Sequence, residues 1–303
     1  MPQLTLPYPP SPALPPLLTP DGHTLRIGVA GWDYPDWQGV VYPPKLKGTD
    51  RLTFLAGWFN AVEINVTFYR FVAASLAERW LEAVAAFPDF RFTAKLWQRF
   101  THERQMPPDD LAVFRAGLEP LRNAGRLAAL LAQFPYSFHH DAQAQDYLLG
   151  LKEAWGDFPL TVEVRHRSWQ QDAVRQWFTD NGLDFCNIDQ PQVSYSLGAT
   201  RWITGPRAYL RCHGRRRDTW FDFGQDLDKR YDYLYSPAEL DDLAGRVREL
   251  TEHASQTYAI FNNHPAGQAV ANALELAHRL LGQRLPAPPT LLAAFPRLNC
   301  LTE

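Results

Sequence analysis

Eight short apolar runs recur along this chain, and each ends in polar residues. They are RIGVAGW (26–32), AVEINVTFY (61–69), FRFTAKLW (90–97), RLAALLAQFP (126–135), LTVEVRH (160–166), LDFCNID (183–189), RAYLRCHG (207–214) and TYAIFNNH (257–264). Most are separated by stretches of helical character. Strand followed by helix, eight times over in a chain of 303 residues, predicts an α/β fold: a single (β/α)8 barrel with its site at the C-terminal ends of the strands. That end carries Glu63, Asn65, Lys95, Gln133, Glu163, Arg165, Asn187, Asp189, Arg211, His213, Asn262 and Asn263. Burying polar groups is costly unless each is partnered or used, so their gathering there points to a functional mouth.

The barrel is expected over 25–283. Residues 1–24 hold prolines at 2, 7, 9, 10, 12, 15, 16 and 20, which precludes helix and central strand alike and predicts an extended Pro-rich arm. Residues 284–303 carry Pro286, Pro288, Pro289 and Pro296 and are expected to form a similar tail. Helices are predicted over 50–60, 75–87, 109–123, 171–181, 237–253 and 266–282. Ser75 with Glu78 suggests a capping box, Ser236-Pro237 an N-terminus, and Asn181-Gly182 and Gly282 C-termini. Between Asp189 and Arg207 the sequence offers no helix.

A hydrophobic content of 46% suffices for a large core. The net charge of −3 argues against a general nucleic-acid coat and leaves room for a local basic patch. Cys186, Cys212 and Cys300 are too far apart in sequence for a metal or redox motif. Few cysteines, no signal-peptide pattern and no apolar run long enough to span a bilayer predict a cytoplasmic protein with no membrane partner. Oligomeric state is not legible.

Alternation along the strands sets Glu63 and Asn65 against Val62, Ile64 and Val66, sets Glu163 and Arg165 against Val162 and Val164, and sets Arg211 and His213 against Leu210 and Cys212. Asn187 and Asp189 share a face, which is expected to turn inward with the others. Glu63, Glu163 and His213 are the candidate catalytic acids and bases. Lys95, Arg165 and Arg211 are the candidate anion holders. Trp32, Tyr34 and Tyr69 offer aromatic surfaces for a ring. Asn65, His166, Asp189, Arg215, Asn262 and Asn263 complete the candidate substrate-binding set. The alternative is a structural network in which the acids and bases neutralise one another. The stretch from Arg215 to Tyr235, rich in Arg and in aromatics (Trp220, Phe221, Phe223, Tyr231, Tyr233 and Tyr235), suits a lid. A divalent cofactor such as Mg2+ or Mn2+ would suit Glu63, Glu163, Asp189 and His213, and the nearby cations oppose it.

GVAGWDYPDWQGVVYPP (28–44), FNAVEINVTFYR (59–70), FTAKLWQRFTH (92–102), VEVRHRSW (162–169), YLRCHGR (209–215) and FNNHPAGQAVANA (261–273) resemble the YecE-like family, also filed as domain of unknown function 72. The resemblance covers about residues 25–283 and implies a TIM-type barrel. It implies no activity. The residues themselves suggest an enzyme acting on a small anionic ligand, phosphorylated or derived from nucleic acid, with phosphodiester hydrolysis as the reaction class. The alternatives are a non-catalytic module binding nucleotide, RNA or protein, and a metal-dependent sugar-phosphate isomerase or epimerase.

Overall fold

The apolar runs are short and rich in β-branched and aromatic residues, as expected of strands, and a parallel sheet of this kind is covered on both faces. A computed structural model describes residues 14, 17–19, 21–220 and 227–301. The rest of the Pro-rich arm, Phe221 and Phe223 lie outside the described residues. The strands are β1 (Thr24–Ala30), β2 (Ala61–Ile64), β3 (Arg91–Lys95), β4 (Leu127–Gln133), β5 (Leu160–Glu163), β6 (Asp184–Asp189), β7 (Arg207–Cys212) and β8 (Gln256–Phe261). Each pairs in parallel with the next, and β1 pairs with β8 in the register Gly28↔Ile260 to close the ring. The fold is therefore an eight-stranded (β/α)8 barrel of the TIM type. At Gly28 a Cβ would lie 2.0 Å from the Ala61 carbonyl oxygen, so only glycine allows β1 and β2 to approach this closely. A two-residue strand, Leu17–Leu18, pairs antiparallel with the start of β1.

The helices that matter to the site are α1 (Thr49–Ala56), α2 (Val66–Tyr69), α3 (Ala74–Ala83), α4 (Gln98–Thr101), α5 (Pro108–Asn123), α6 (Ala142–Ala154), α7 (Asp172–Asp180), α8 (Pro237–His253) and α9 (Gln268–Leu281). Ser236 forms a full capping box with Glu239 at the start of α8. The expected box at Ser75 is not formed: α3 begins one residue earlier, after Ala73, which leaves Ser75 inside the first turn. The sequence reading missed α6, whose N-cap is Asp141, accepting from the Ala144 amide at 2.7 Å. The sixth crossover has no helix, as expected. The C-terminal segment is no extended tail. Pro289–Ala294 form a further helix, α10, and Leu285, Leu291, Leu298 and Leu301 are buried against the barrel. Four buried leucines stabilise the docking by roughly 1.5–3 kcal/mol each, which outweighs the proline content.

Inside the barrel, Tyr209 and Tyr258 stack with ring centroids 6.0 Å apart, and Tyr209 bonds Thr93 at 2.8 Å. This layer closes the barrel below, so the polar groups above it open toward one end only. Among the described residues no helix is long and apolar enough to cross a membrane.

Candidate active site at the barrel mouth

The alternation of β2, β5 and β7 puts Glu63, Glu163 and Arg211 on the inner face at one level. Arg211 lies between the two acids. Its Nη1 donates to Glu163 Oε2 at 2.6 Å and its Nη2 to Glu63 Oε1 at 2.6 Å. The Tyr209 hydroxyl donates to Glu63 Oε2 at 2.9 Å, and Arg165 Nε donates to Glu163 Oε1 at 3.1 Å. Both carboxylates are fully buried and Arg211 is 1% exposed. Burial pushes the Glu163 carboxyl up, but Arg211, His213 and Arg165 more than offset this and hold it well below the usual carboxylate range. This is a floor of paired charge, in which each acid is already engaged.

His213 follows β7 and faces the same floor. The Asn262 amide donates to His213 Nδ1 at 3.1 Å, which assigns the ring proton to Nε2, 3.3 Å from Glu163 Oε1. Burial draws its pKa down to about 3, against the pull of Glu163. The imidazole is neutral at physiological pH, a hydrogen-bonding group with no charge to exchange.

Lys95 ends β3 and is placed differently. Its Nζ donates to Gln133 Oε1 at 3.1 Å and lies 3.9 Å from the centre of the Phe68 ring. Among the described residues it forms no ion pair, because Arg211 and Arg165 have taken the acids. Burial and the Arg211 charge lower the ammonium to about 7, against Glu63 and Glu163, which raise it. Above the floor, Trp220 and Tyr231 of the seventh loop cover the mouth. The Arg165 guanidinium sits 5.5 Å from the Trp220 ring centre, and His213 lies 6.1 Å from Trp220 and 6.0 Å from Tyr231.

The structure brings Glu63, Lys95, Arg165, Arg211, His213 and Asn262 to this mouth, sets Asn65 beside it with its amide 3.4 Å from the Tyr34 hydroxyl, and places other predicted residues elsewhere. Asp189 was expected to face inward and faces outward. Cys186 takes the inner position, near Glu163 and Arg211. The reason lies in the missing sixth helix: an irregular segment covers β6, and its backbone groups need partners. Asn187 supplies them, donating to the Trp202 carbonyl at 2.9 Å and accepting from the Trp202 amide at 2.8 Å. One strand position further, on the same face, Asp189 accepts from Arg246 of α8 at 3.0 Å, from Arg215 at 2.9 and 2.8 Å, and from the Tyr235 hydroxyl at 2.8 Å. Arg215 is thereby held outside the barrel too. Asn263 also turns outward, to the Tyr233 carbonyl at 2.8 Å and Asn272 at 2.9 Å. His166 sits at the rim, stacked on His139 with centroids 3.9 Å apart.

Trp32 and Tyr34 belong to the loop after β1, which is tied down at several points. Tyr34 stacks on His264, with centroids 4.4 Å apart and planes 5° apart, and its hydroxyl donates to the Ala30 carbonyl at 2.8 Å. Trp37 Nε1 donates to the His264 carbonyl at 2.7 Å. Asp36 accepts from the Ala266 amide at 2.6 Å, so the backbone near the start of α9, a common phosphate position in such barrels, already serves an acid of the chain. Tyr209, His264 and Arg246 were not singled out from sequence. Tyr209 was legible, since it shares the inner parity of Arg211. The partner of Arg246 is 57 positions away in sequence, and no local pattern announces it.

The donor set does not fit a divalent ion. Glu63 and Glu163 are both bound to Arg211, Asp189 lies on the other side of the sheet, and among the described residues no group of three or more His, Cys, Asp or Glu is disposed to hold a metal. Nor do Glu63 and Glu163 form the proton-relaying pair that an epimerase needs, since one guanidinium bridges them.

Comparisons with known proteins agree with this architecture. A DUF72 family protein from Thermotoga maritima MSB8 is 34% identical and superposes with a TM-score of 0.77 over 86% of this chain and 100% of its own. A DUF72 family protein of Enterococcus faecalis V583, at 23% identity and a TM-score of 0.74 over 88% of this chain and 98% of its own, shares the fold. The UPF0759 protein YunF of Bacillus subtilis strain 168 is 29% identical over 271 residues, 84% of this chain and 94% of that protein. The family model described as protein of unknown function DUF72 matches residues 26–293. The family model's match over most of the chain and the 34% identical barrel of Thermotoga maritima show that the chain belongs to the DUF72 family.

Proposed function

We propose that this protein is an enzyme acting on an anionic substrate at the barrel mouth, with phosphodiester hydrolysis as the reaction class. The observation that carries the reading is Lys95, a half-buried cation with no ion-pair partner among the described residues, beside two acids already paired with Arg211 and Arg165. A buried ammonium in that position lacks a counter-charge, and an incoming anion supplies one. Arg165, at the edge of the same floor, presents a second cation beneath Trp220.

The geometry redistributes the roles expected from sequence. Glu163 is held ionised and His213 neutral, so neither is matched to proton transfer near pH 7. Lys95, at about 7, is so matched. In this reading Arg165 and the Lys95 ammonium hold the anion; as water attacks phosphorus and the P–O bond to the leaving group breaks, Lys95 gives its proton to the leaving oxygen, and the proton of the attacking water passes to the phosphate product and solvent. Arg211 fixes the floor without touching the substrate.

Lys95→Met is expected to lower hydrolysis of a chromogenic phosphodiester by about 100-fold or more. It should also raise the thermal midpoint by about 2–4 °C, the shift that about 1 kcal/mol produces in a large domain, because an unpaired buried charge is removed. Unchanged turnover in that variant would sink the assignment. A second reading, a non-catalytic anion-binding module, is favoured by the engagement of both carboxylates. It requires that wild-type protein bind phosphate without turning over any ester and that Arg165→Met weaken that binding.

A further inference from the structure

We propose that a cleft beside the mouth is a ring-binding subsite, so that the substrate is an organic phosphate carrying an aromatic ring on a spacer of several atoms. This rests on the anionic-substrate reading and names the class of molecule. The cleft has a volume of about 440 Å3, within the usual range for small-molecule sites. Its walls come from four segments: the loop after β1 with Trp32, the start of α1 with Thr49, the turn of α2 with Asn65 and Tyr69, and α3 with Leu76 and Trp80.

Three features suit it to a ring rather than to solvent. Trp32 stands edge-on to Trp80, with centroids 5.5 Å apart and planes at 89°, so an indole face is braced along the cleft. Tyr69 is 68% exposed, an aromatic side chain left outside the core on its wall. Asn65 Oδ1 is buried with no hydrogen-bond partner among the described residues. A buried acceptor left unpaired is costly, and an N–H or O–H on a bound ligand would satisfy it. The wall is preorganised. Gly31 has φ +78°, and a Cβ there would come within 2.5 Å of the Tyr34 hydroxyl. The Tyr42 hydroxyl donates to the Trp32 carbonyl at 2.6 Å, and Arg51 pairs with Asp33.

The spacer follows from α2, which separates the cleft from Lys95. Phe68 faces Lys95 Nζ at 3.9 Å, and Tyr69 faces the cleft, the two rings standing edge to face 5.0 Å apart. Thr67 ties the same turn to β3 by donating to the Lys95 carbonyl at 2.7 Å. Two aromatic rings thus lie between the cation and the cleft, too far for a ring bonded directly to the anion.

The test is calorimetric binding of inorganic phosphate, phenyl phosphate and 4-phenylbutyl phosphate to the full chain. We expect phenyl phosphate to bind like inorganic phosphate. We expect 4-phenylbutyl phosphate to bind about tenfold tighter or better, as one stacked ring permits. In Trp32→Ala the ratio of the phenylbutyl to the inorganic phosphate affinity should fall to about one. Should Trp32→Ala fail to fold, Tyr69→Ala, altered at an exposed side chain, is expected to reduce the ratio in the same direction. Equal affinities for all three anions, or a ratio that survives both variants, would overturn the subsite and leave the anion reading standing. No binding of any of the three would overturn both.

Discussion

Arg211→Met is expected to destabilise the protein by about 3–5 kcal/mol at neutral pH, because it leaves Glu63 and Glu163 buried and facing each other with no cation between them. In thermal terms this is a fall of about 6–15 °C. The pH dependence is the sharper signature. In the wild type, the Glu163 carboxyl lies well below its usual range. The stability it contributes is therefore present above the unfolded value, about 4.3, and is lost as pH falls through the folded one. In the variant the sign reverses. Glu63 then has no ion-pair partner among the described residues and Glu163 keeps only Arg165, so both carboxyls titrate higher, and the fold is favoured at low pH and loses stability as pH rises through those values. Unfolding in urea between pH 5 and 8 should show the variant weakening with rising pH across a window where the wild type does not. Parallel profiles would mean that the floor is not held by this triad. Adding Glu63→Gln to Arg211→Met should restore part of the loss, since Glu163 keeps Arg165 as its cation and the acid left without one is gone.

Asp189→Ala carries the second large expected effect, and its cause lies outside the barrel. Asp189 is the acceptor for Arg215, Arg246 and Tyr235. Without it, Arg246, which is fully buried, keeps among the described residues only the Ile188 and Thr200 carbonyls, at 3.1 and 3.0 Å. A buried guanidinium stripped of its carboxylate costs about 3–5 kcal/mol. The damage should also reach the seventh loop. Arg215 begins it, Tyr235 ends it, and the Gly214 amide donates to the Tyr235 hydroxyl at 2.9 Å, so Asp189 ties both ends together. Limited proteolysis of the variant is expected to cut first between 215 and 235. Phosphate affinity, measured in the still-folded Asp189→Asn protein at low temperature, should stay within about twofold of wild type, because the side chain points away from the mouth. A tenfold loss there would mean that Asp189 reaches the ligand after all.

Both predictions turn on which face of a strand a side chain takes, and the sequence conveyed this unevenly. In β2, β5 and β7 an acid or a cation alternates with valine, leucine or isoleucine, so the spacing set Glu63, Glu163 and Arg211 on the face opposite the apolar one, and the structure turns that face inward. In β6 the run Phe185-Cys186-Asn187-Ile188-Asp189 alternates just as cleanly, yet its polar face turns out. Periodicity gives a relative orientation only. The absolute one depends on what covers the strand, and β6 is covered by irregular chain that needs side-chain partners. Lys95 was legible as a cation at a strand end. That its counter-ions are taken by Arg211 and Arg165 follows only from distances between strands. The ring cleft was legible in part: Trp32 and Tyr69 lie in conspicuous aromatic motifs, whereas Trp80 sits on a helix face that reads as core.

The sequence by itself determined the closed eight-stranded barrel, its strand order, most of its helices and the end at which charge collects. Those features rest on short-range patterning of apolar and polar residues, which the chain carries locally. Only the tertiary structure decided which acids are spent on Arg211, which polar face of β6 is structural, and which cation has no ion-pair partner among the described residues. Each of these depends on groups tens to more than a hundred residues apart, brought within hydrogen-bonding distance when the barrel closes.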